Sequence, residues 1–392
     1  MLRFLQAGGP VHWEVAAQVA RWVAESGSDP SGLSGLPGIP GLPGMGGMGG
    51  PTPAEAGPAV SSEDRQRLAE VASAAEALVL ADTGQSLPVP SLEALGRAEW
   101  ADRALTQLRP VLERLAITLQ GEAAMPDPAS TEMNPLAGMM GALGPLLLGV
   151  QCGFMVGQLA QGLLSQHDFL LPAPDPAPPA VIVPNLEEFH EAWSIPPDDL
   201  RYYVALSESV RSRMCSRPWV RARLVALASE YVGSFRVDPE AIQAQLGTMD
   251  ITDPSSLEGL LGDPDAMLGA MTSPAQQAVL ERLQLTTAVL ESYADAVVDR
   301  LAGPMVPSLG VIREARRRHR LERSEADRFV QRLLGLDPSG RTHAAAAAFC
   351  AGVIERAGTE GLDQLLTGED FLPTPAELEA PGLWLARLEL GR

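Results

Sequence analysis

The chain has 392 residues, 46% of them hydrophobic, and a formal net charge of −20, so it can bury a large core and has the length of two or three domains. This acidic balance argues against nucleic acid or an anionic membrane as a general partner, because both bind basic surfaces. All 29 basic residues are arginine, which excludes a lysine nucleophile or Schiff base.

The three cysteines, Cys152, Cys215 and Cys350, are far apart and show no paired spacing. This pattern argues against a disulfide framework or a thiolate zinc site and fits a reducing compartment. The first residues, Met1 to Trp13, contain no apolar run of the length that a secretory signal needs. We therefore expect a cytoplasmic protein.

The N-terminal part is predicted to contain helices separated by a linker. Residues 11–26 have helical periodicity, whereas residues 29–60 are rich in Gly, Pro, Ser and Met without a strict glycine triplet, which favours a flexible linker over collagen. Further helices are expected from Ser62 toward Asp82, and from Ser91 to about Leu119 with a break or kink at Pro110.

Residues 134–164 contain no charged side chain and are long enough to span a membrane. Gly149, Gly153 and Gly157 also have the spacing of closely packed helix pairs. Two prolines, Pro135 and Pro145, interrupt the first half, and glutamines recur along one side. We therefore favour a buried core helix, in which the glycines let a neighbouring helix approach, over a membrane segment.

The second half is predicted to be almost entirely helical. Val181 to Val183 is the clearest strand candidate, and its flanking prolines place it at a sheet edge. Helices are expected from Asn185 to Trp193 and from Pro197 onward. Beyond Trp219, Asp-Pro turns separate further helices, at Asp238-Pro239, Asp253-Pro254, Asp263-Pro264 and Asp337-Pro338. The fold class is therefore mainly α, with at most a small, short-stranded β element.

A polar pentad interrupts the apolar face of the helix that begins at Pro197. At 100° per residue, Ser207 and Arg211 share one face with Leu200, Tyr203 and Met214, and Glu208 lies at its border. A buried guanidinium costs several kcal/mol unless an anion and hydrogen-bond acceptors meet it. The pattern therefore predicts a functional site or a built-in ion pair.

A second polar feature is expected in the helix from Gln276 to about Ala302. Glu291, Asp295 and Asp299 are spaced four residues apart, and like charges at this spacing repel one another unless a cation lies nearby. On the helical wheel Glu291 lies at the edge of the apolar face, while Asp295 and Asp299 lie progressively closer to solvent. Asp299 is thus expected in a solvated acidic face, whereas Glu291 fits either that face or a structured site.

Several stretches together resemble the bacterial zincin-like metallopeptidase type 2 family, whose members are labelled hydrolases or zinc-dependent metalloproteases. The matching stretches are Asn134 to Gly138, Trp193 to Arg201, Pro218 to Leu224, Glu291 to Tyr293 with Asp299, Asp327 to Leu336, and Leu372 to Glu377. The resemblance covers most of the chain apart from the linker. It implies a zincin-like helical domain over residues 130–392, which we separate from an N-terminal helix (1–28), the linker (29–60) and a helical region packed on the main domain (61–125).

The resemblance implies a His-Glu-x-x-His motif, in which two histidines ligate zinc and the glutamate activates the zinc-bound water. In this chain the corresponding residues are Ser207, Glu208, Ser209, Val210 and Arg211, so both histidines are missing. Glu208 matches the general base, in a vestigial role. Glu291 matches the downstream carboxylate ligand, and would bind metal only if zinc is retained.

These replacements favour a disabled metal site, because serine is a poor zinc ligand and a protonated arginine has no lone pair. None of the five histidines forms a helical i, i+4 pair, and His190 is the nearest in sequence. We expect no cofactor, with zinc as the alternative. Our hypothesis is that Arg211 stands where the metal charge would be and pairs with Glu291 or Glu208, with Ser207 and Asp295 also in the candidate site. The competing interpretation is that Arg211 extends to solvent.

Three functions remain open at this point. The chain is a catalytically impaired member of the family, an active zinc peptidase or hydrolase with rearranged ligands, or a peptide- or protein-binding module that uses the Val181 to Val183 edge for strand addition. The basic cluster from Arg316 to Arg320 is diluted by nearby glutamates and has no aromatic residues between its charges, so we interpret it as a solvated helix face. The sequence does not predict the oligomeric state.

Overall fold

The computed structural model describes residues 9–26, 60–83, 92–121, 135–171, 173–235, 274–321, 332–335 and 340–391. The predicted linker and all four predicted Asp-Pro turns lie outside these residues, except for Val60 at the end of the linker.

The described chain is mainly helical, as predicted. In chain order the elements are α1 (Trp13–Ser26), α2 (Ser62–Thr83), β1 (Glu93–Leu95), α3 (Arg97–Gly121), α4 (Pro135–Gly162), β2 (Ala180–Ile182), α5 (Val183–Ala192), α6 (Pro197–Ser216), α7 (Pro218–Gly233), α8 (Pro274–Ala302), α9 (Leu309–Leu321), α10 (Gly340–Asp363), α11 (Pro375–Glu379) and α12 (Pro381–Leu390), with two short 3₁₀ turns between α10 and α11.

The apolar helix α4 packs along α1 through its three glycines. A methyl group on Gly149 or Gly153 would overlap the backbone of α1 or of the residue just before it, and one on Gly157 would overlap Val23. This contact confirms the predicted close approach of a neighbouring helix. Among the described residues, no helix combines the length and hydropathy required to cross a membrane.

The two strands form a small parallel sheet in which Ala94 is paired with Val181. Strand β1 lies where we had expected the start of a helix, and α3 then runs through Pro110 without ending there. On its other side β2 bonds to the segment after α4, where Ser165 bridges to Val181. The prediction of an edge strand at Val181 to Val183 is therefore wrong, because the backbone of β2 is paired on both sides and its residues are fully buried.

Helix α6 lies at the centre of the fold. It contacts α2, α7, α8 and β2. Buried apolar side chains from α1, α2, α3, α4, α6, α7, α8 and α10 form one continuous core around it. Since neighbours surround α6 on several sides, its buried residues are not confined to one stripe. Any charge on this helix must therefore be met by protein groups rather than by water.

The glycine contact between α4 and α1 generates a stability prediction. We expect Gly153→Ala to lower the free energy of unfolding by about 1–3 kcal/mol, because the added methyl forces the two helices apart. Gly144→Ala on the same helix is the matched control, since nothing lies within 4 Å of its added methyl. We expect that change to be neutral or to stabilise by up to about 1 kcal/mol. Equal denaturation midpoints for the two variants would contradict the close packing.

Candidate functional site

The pentad occupies the buried middle of α6. Pro197 suits the first turn of this helix, Asp198 and Asp199 favour its positive end, and the helix ends before Pro218 because a residue preceding proline avoids helical backbone. Ser207, Glu208 and Arg211 are 3%, 0% and 1% exposed. The prediction of a buried Arg211 is confirmed, and the alternative that it extends to solvent is wrong.

The Arg211 guanidinium is held between two helices. It donates hydrogen bonds to the Ser207 hydroxyl one turn earlier on α6 and to the Asp295 carboxylate on α8, the latter at 2.5 Å. Burial lowers the pKa of Arg211, but the Asp295 charge raises it and the net shift is upward. The arginine therefore remains charged inside the protein, paired across the contact between α6 and α8.

The partner of Arg211 differs from our expectation of Glu291 or Glu208. Glu208 is already occupied elsewhere, and Glu291 lies one turn before Asp295, with its carboxylate 3.9 Å from the His343 ring. The Asp295 side chain keeps 31% of its surface exposed, in agreement with the helical wheel. A helical wheel describes one helix, so it does not show that the Arg211 side chain of α6 reaches Asp295 on α8.

Glu208 binds α6 to the sheet and to the segment after α4. Its carboxylate accepts hydrogen bonds from the backbone N–H of His167 at 3.0 Å and of Ala180 at 3.1 Å, and lies 2.8 Å from Nδ1 of the His167 ring. Both of its oxygens are therefore engaged. Sequence reasoning missed His167, because it is 41 residues from Glu208 and belongs to no motif.

A second buried ion pair lies close to the first. Arg316 on α9 donates to the Asp168 carboxylate and lies 5.5 Å above the Tyr203 ring of α6. Burial lowers the pKa of Arg316, but Asp168 and Tyr203 raise it and the net shift is upward. The positive charge of Arg316 also acts to lower the pKa of Arg211, whereas Asp168 raises it. The charges of the two pairs thus act on one another and form one electrostatic network.

We predicted that the basic cluster from Arg316 to Arg320 forms a solvated helix face. This prediction is wrong for Arg316, which is buried, and is confirmed for Arg317 and Arg318. These two are more than half exposed and share Glu314 as their partner. Arg316 differs because it lies seven residues after Leu309 and four after Ile312, which puts it on the buried stripe of α9. That spacing was the available signal for its burial.

The side chains at the expected metal position do not fit a zinc ion. The sequence resemblance predicts two imidazoles at positions 207 and 211, where this chain has a hydroxyl and a guanidinium. The guanidinium directs N–H donors, not lone pairs, at its neighbours. Within the described ranges, no group of three or more His, Cys, Asp or Glu side chains is arranged to hold a metal ion. His190, the nearest histidine in sequence, lies 3.0 Å from Glu187 on its own helix.

Comparison with known proteins gives one family and one structural relative. A family model described as "Zincin-like metallopeptidase" matches residues 50–385, most of the chain. A crystal structure from Chloroflexus aurantiacus, described provisionally as a hydrolase with a novel fold, has 20% sequence identity and a TM-score of 0.63 over 97% of this chain and 99% of its own. At this identity the structural likeness shows the fold alone. No curated protein matches the chain.

The ion pair predicts unequal effects from two similar changes on α8. Asp295→Asn leaves the buried Arg211 charge without its anion and should destabilise the protein by about 1–3 kcal/mol, less than a fully buried pair because Asp295 is partly exposed. Asp299→Asn is the control, because Asp299 and its partner Arg313 are both well exposed. We expect it to change the free energy of unfolding by less than about 0.5 kcal/mol. Urea denaturation measures both, and an equal loss would refute the special role of Asp295.

The contacts of Glu208 predict that Glu208→Gln acts on folding stability. The amide places an N–H₂ group where an oxygen accepts from backbone N–H, so we expect a loss of about 2–4 kcal/mol. Glu281→Gln on the exposed side of α8 should cost less than about 0.5 kcal/mol. A thermal melt of Glu208→Gln indistinguishable from that of the unmodified protein would show that the carboxylate does not bind α6 to the sheet.

Proposed function

The chain belongs to the zincin-like metallopeptidase family, and we propose that it is a non-hydrolytic member in which the ion pair between Arg211 and Asp295 replaces the zinc centre. The observation that carries this proposal is the position of the Arg211 guanidinium. It is buried between Ser207 and Asp295, at a position that the sequence resemblance assigns to a zinc-binding histidine.

Charge explains why the helices still pack without a metal. A zinc ion would supply positive charge to the carboxylates around it, and in this chain two buried guanidinium groups supply it instead. Arg211 meets Asp295 and Arg316 meets Asp168, so these two carboxylates each have a cation within hydrogen-bond distance, while Glu208 is met by backbone N–H groups and the His167 ring. Such pairing removes the need for a metal to hold the acidic groups in the core.

Chemistry explains why the replacement does not support hydrolysis. A guanidinium has no vacant coordination position for water and cannot activate water as zinc does. The glutamate at the general-base position is equally committed, since Glu208 would have to give up its hydrogen bonds to His167 or Ala180 before it could take a proton from water. The group at the metal position and the glutamate at the general-base position are thus both engaged in structural contacts.

Metal content is the direct test of the proposal. Protein purified without chelators and measured by inductively coupled plasma mass spectrometry should contain far less than one zinc per chain, and chelators should not change its melting temperature. Stoichiometric zinc, or peptidase activity that chelators abolish, would overturn the proposal and favour the alternative of an active enzyme with rearranged ligands.

Restoring the motif provides the complementary test. We expect Ser207→His combined with Arg211→His to create a zinc site whose third ligand is Asp295, because Asp295 faces these positions. Adding Asp295→Ala should weaken zinc binding more than adding Glu291→Ala. The matched control, Ser209→His with Arg213→His, has the same spacing on another face of α6 and should bind zinc more weakly. Equal affinity of the two histidine pairs in a zinc titration would contradict this geometry.

A further inference from the structure

Helix α1 lies in a groove between α3 and α4. Its buried side chains form two rows, one in the main core and one in a separate cluster against α4. They are Ala16, Ala20 and Ala24 in the first row and Val15, Val19 and Val23 in the second. On the groove side, a methyl group on Gly153 or Gly157 would overlap α1. Because both surfaces are apolar and fit closely, α1 and the groove would each expose apolar area to water if they separated.

Polar contacts with α3 fix the direction and register of α1 in the groove. Arg21 donates to both oxygens of the Asp102 carboxylate, at 2.9 and 2.8 Å. At one end of α1 the Trp13 indole donates to Glu113 at 3.1 Å, and at the other end the Glu25 carboxylate accepts from a backbone N–H in the first turn of α3 at 3.2 Å. The groove therefore binds this helix by charge as well as by shape, since Asp102 complements Arg21.

The covalent connection of α1 to the rest of the fold does not decide which groove it occupies. The helix ends at Ser26, and the described chain resumes at Val60. A segment of this length can extend about 100 Å, several times the length of α1. The contacts of α1 are the same whether it comes from its own chain or from a second copy. Which form prevails therefore depends on how the effective concentration of the chain's own α1 compares with the concentration of other chains.

We propose that the groove between α3 and α4 also binds α1 of a second copy of this chain, so that two chains exchange this helix and form a symmetric dimer. Such a dimer repeats each contact of α1 twice and leaves neither groove empty. The composition of residues 29–60 predicts a flexible linker, for which effective concentrations are on the order of 1 mM, and we expect a dimer dissociation constant of that order. The exchange does not involve the pair of Arg211 and Asp295, which lies between α6 and α8.

Reversed charges at the pair of Arg21 and Asp102 test the exchange. In Arg21→Asp and in Asp102→Arg each chain repels its own α1, whereas a mixture of the two variants restores both pairs by exchange. The full-length variants are mixed, unfolded together in urea, refolded and analysed by sedimentation equilibrium. Both side chains are well exposed, at 54% and 40%, so we expect each variant to fold. We expect the dimer association constant of the mixture to be at least about tenfold larger than that of the unmodified protein.

A control mixture separates exchange from simple attraction between oppositely charged surfaces. Arg313→Asp and Asp299→Arg reverse an ion pair of similar exposure, but only the short connection between α8 and α9 separates its partners. Exchange cannot relieve that repulsion, so any association of this mixture measures surface attraction alone. The double variant Arg21→Asp with Asp102→Arg restores the pair within one chain, and it should melt and associate as the unmodified protein does.

The exchanged dimer should contain the two variants in equal numbers, which native mass spectrometry measures. Association of the Arg21 and Asp102 mixture no stronger than that of the control mixture overturns the proposal. A double variant that dimerises as strongly as the mixture overturns it as well, because exchange would then not be the cause. Zinc content is measured separately, so failure of the exchange leaves the proposed loss of the metal centre standing, and the converse also holds.

Discussion

The rest of the structure depends on how the charges on α6 are met after this helix is buried. Glu208 and Arg211 are three residues apart, and each is almost completely excluded from solvent. Glu208 binds to the segment after α4 and to β2, while Arg211 binds to α8. The central helix is therefore held in place by two opposite charges directed at different neighbours, and both contacts must form for the core to close without an uncompensated charge.

A buried ion pair of this kind is not in itself a large source of stability. The free-energy cost of removing both charges from water offsets much of their attraction. If one partner is removed, the other charge stays buried and its desolvation cost is no longer offset. The network of Arg211, Asp295, Arg316 and Asp168 thus adds little to the stability of the correct packing. Incorrect packing would leave a charge unpaired, and it is therefore strongly destabilised. Hydrogen-bonded guanidinium groups join these helices, and we propose that they do so in place of a coordinated zinc ion.

Elements with strong local signals were predicted well. The helix beginning at Ser62, the helix ending at Ala302 and the glycine spacing of α4 follow from end signals, periodicity and side-chain size, which are properties of adjacent residues. Two local predictions failed, at β1 and at Arg316, and the other failures concern partners. Val181 was expected at a sheet edge because prolines flank it, yet β1, far away in the sequence, and the segment around Ser165 pair with it on both sides.

The sequence by itself determined the mainly helical class, the family and the burial of Arg211, since each depends on residue identity and helical spacing. Only the tertiary structure decided that Asp295 pairs with Arg211, that His167 pairs with Glu208 and that Arg316 joins the same network. These contacts link residues 41 to 148 positions apart. Local spacing fixes which face a side chain occupies, but the packing of whole helices determines which opposite charge lies within reach of it.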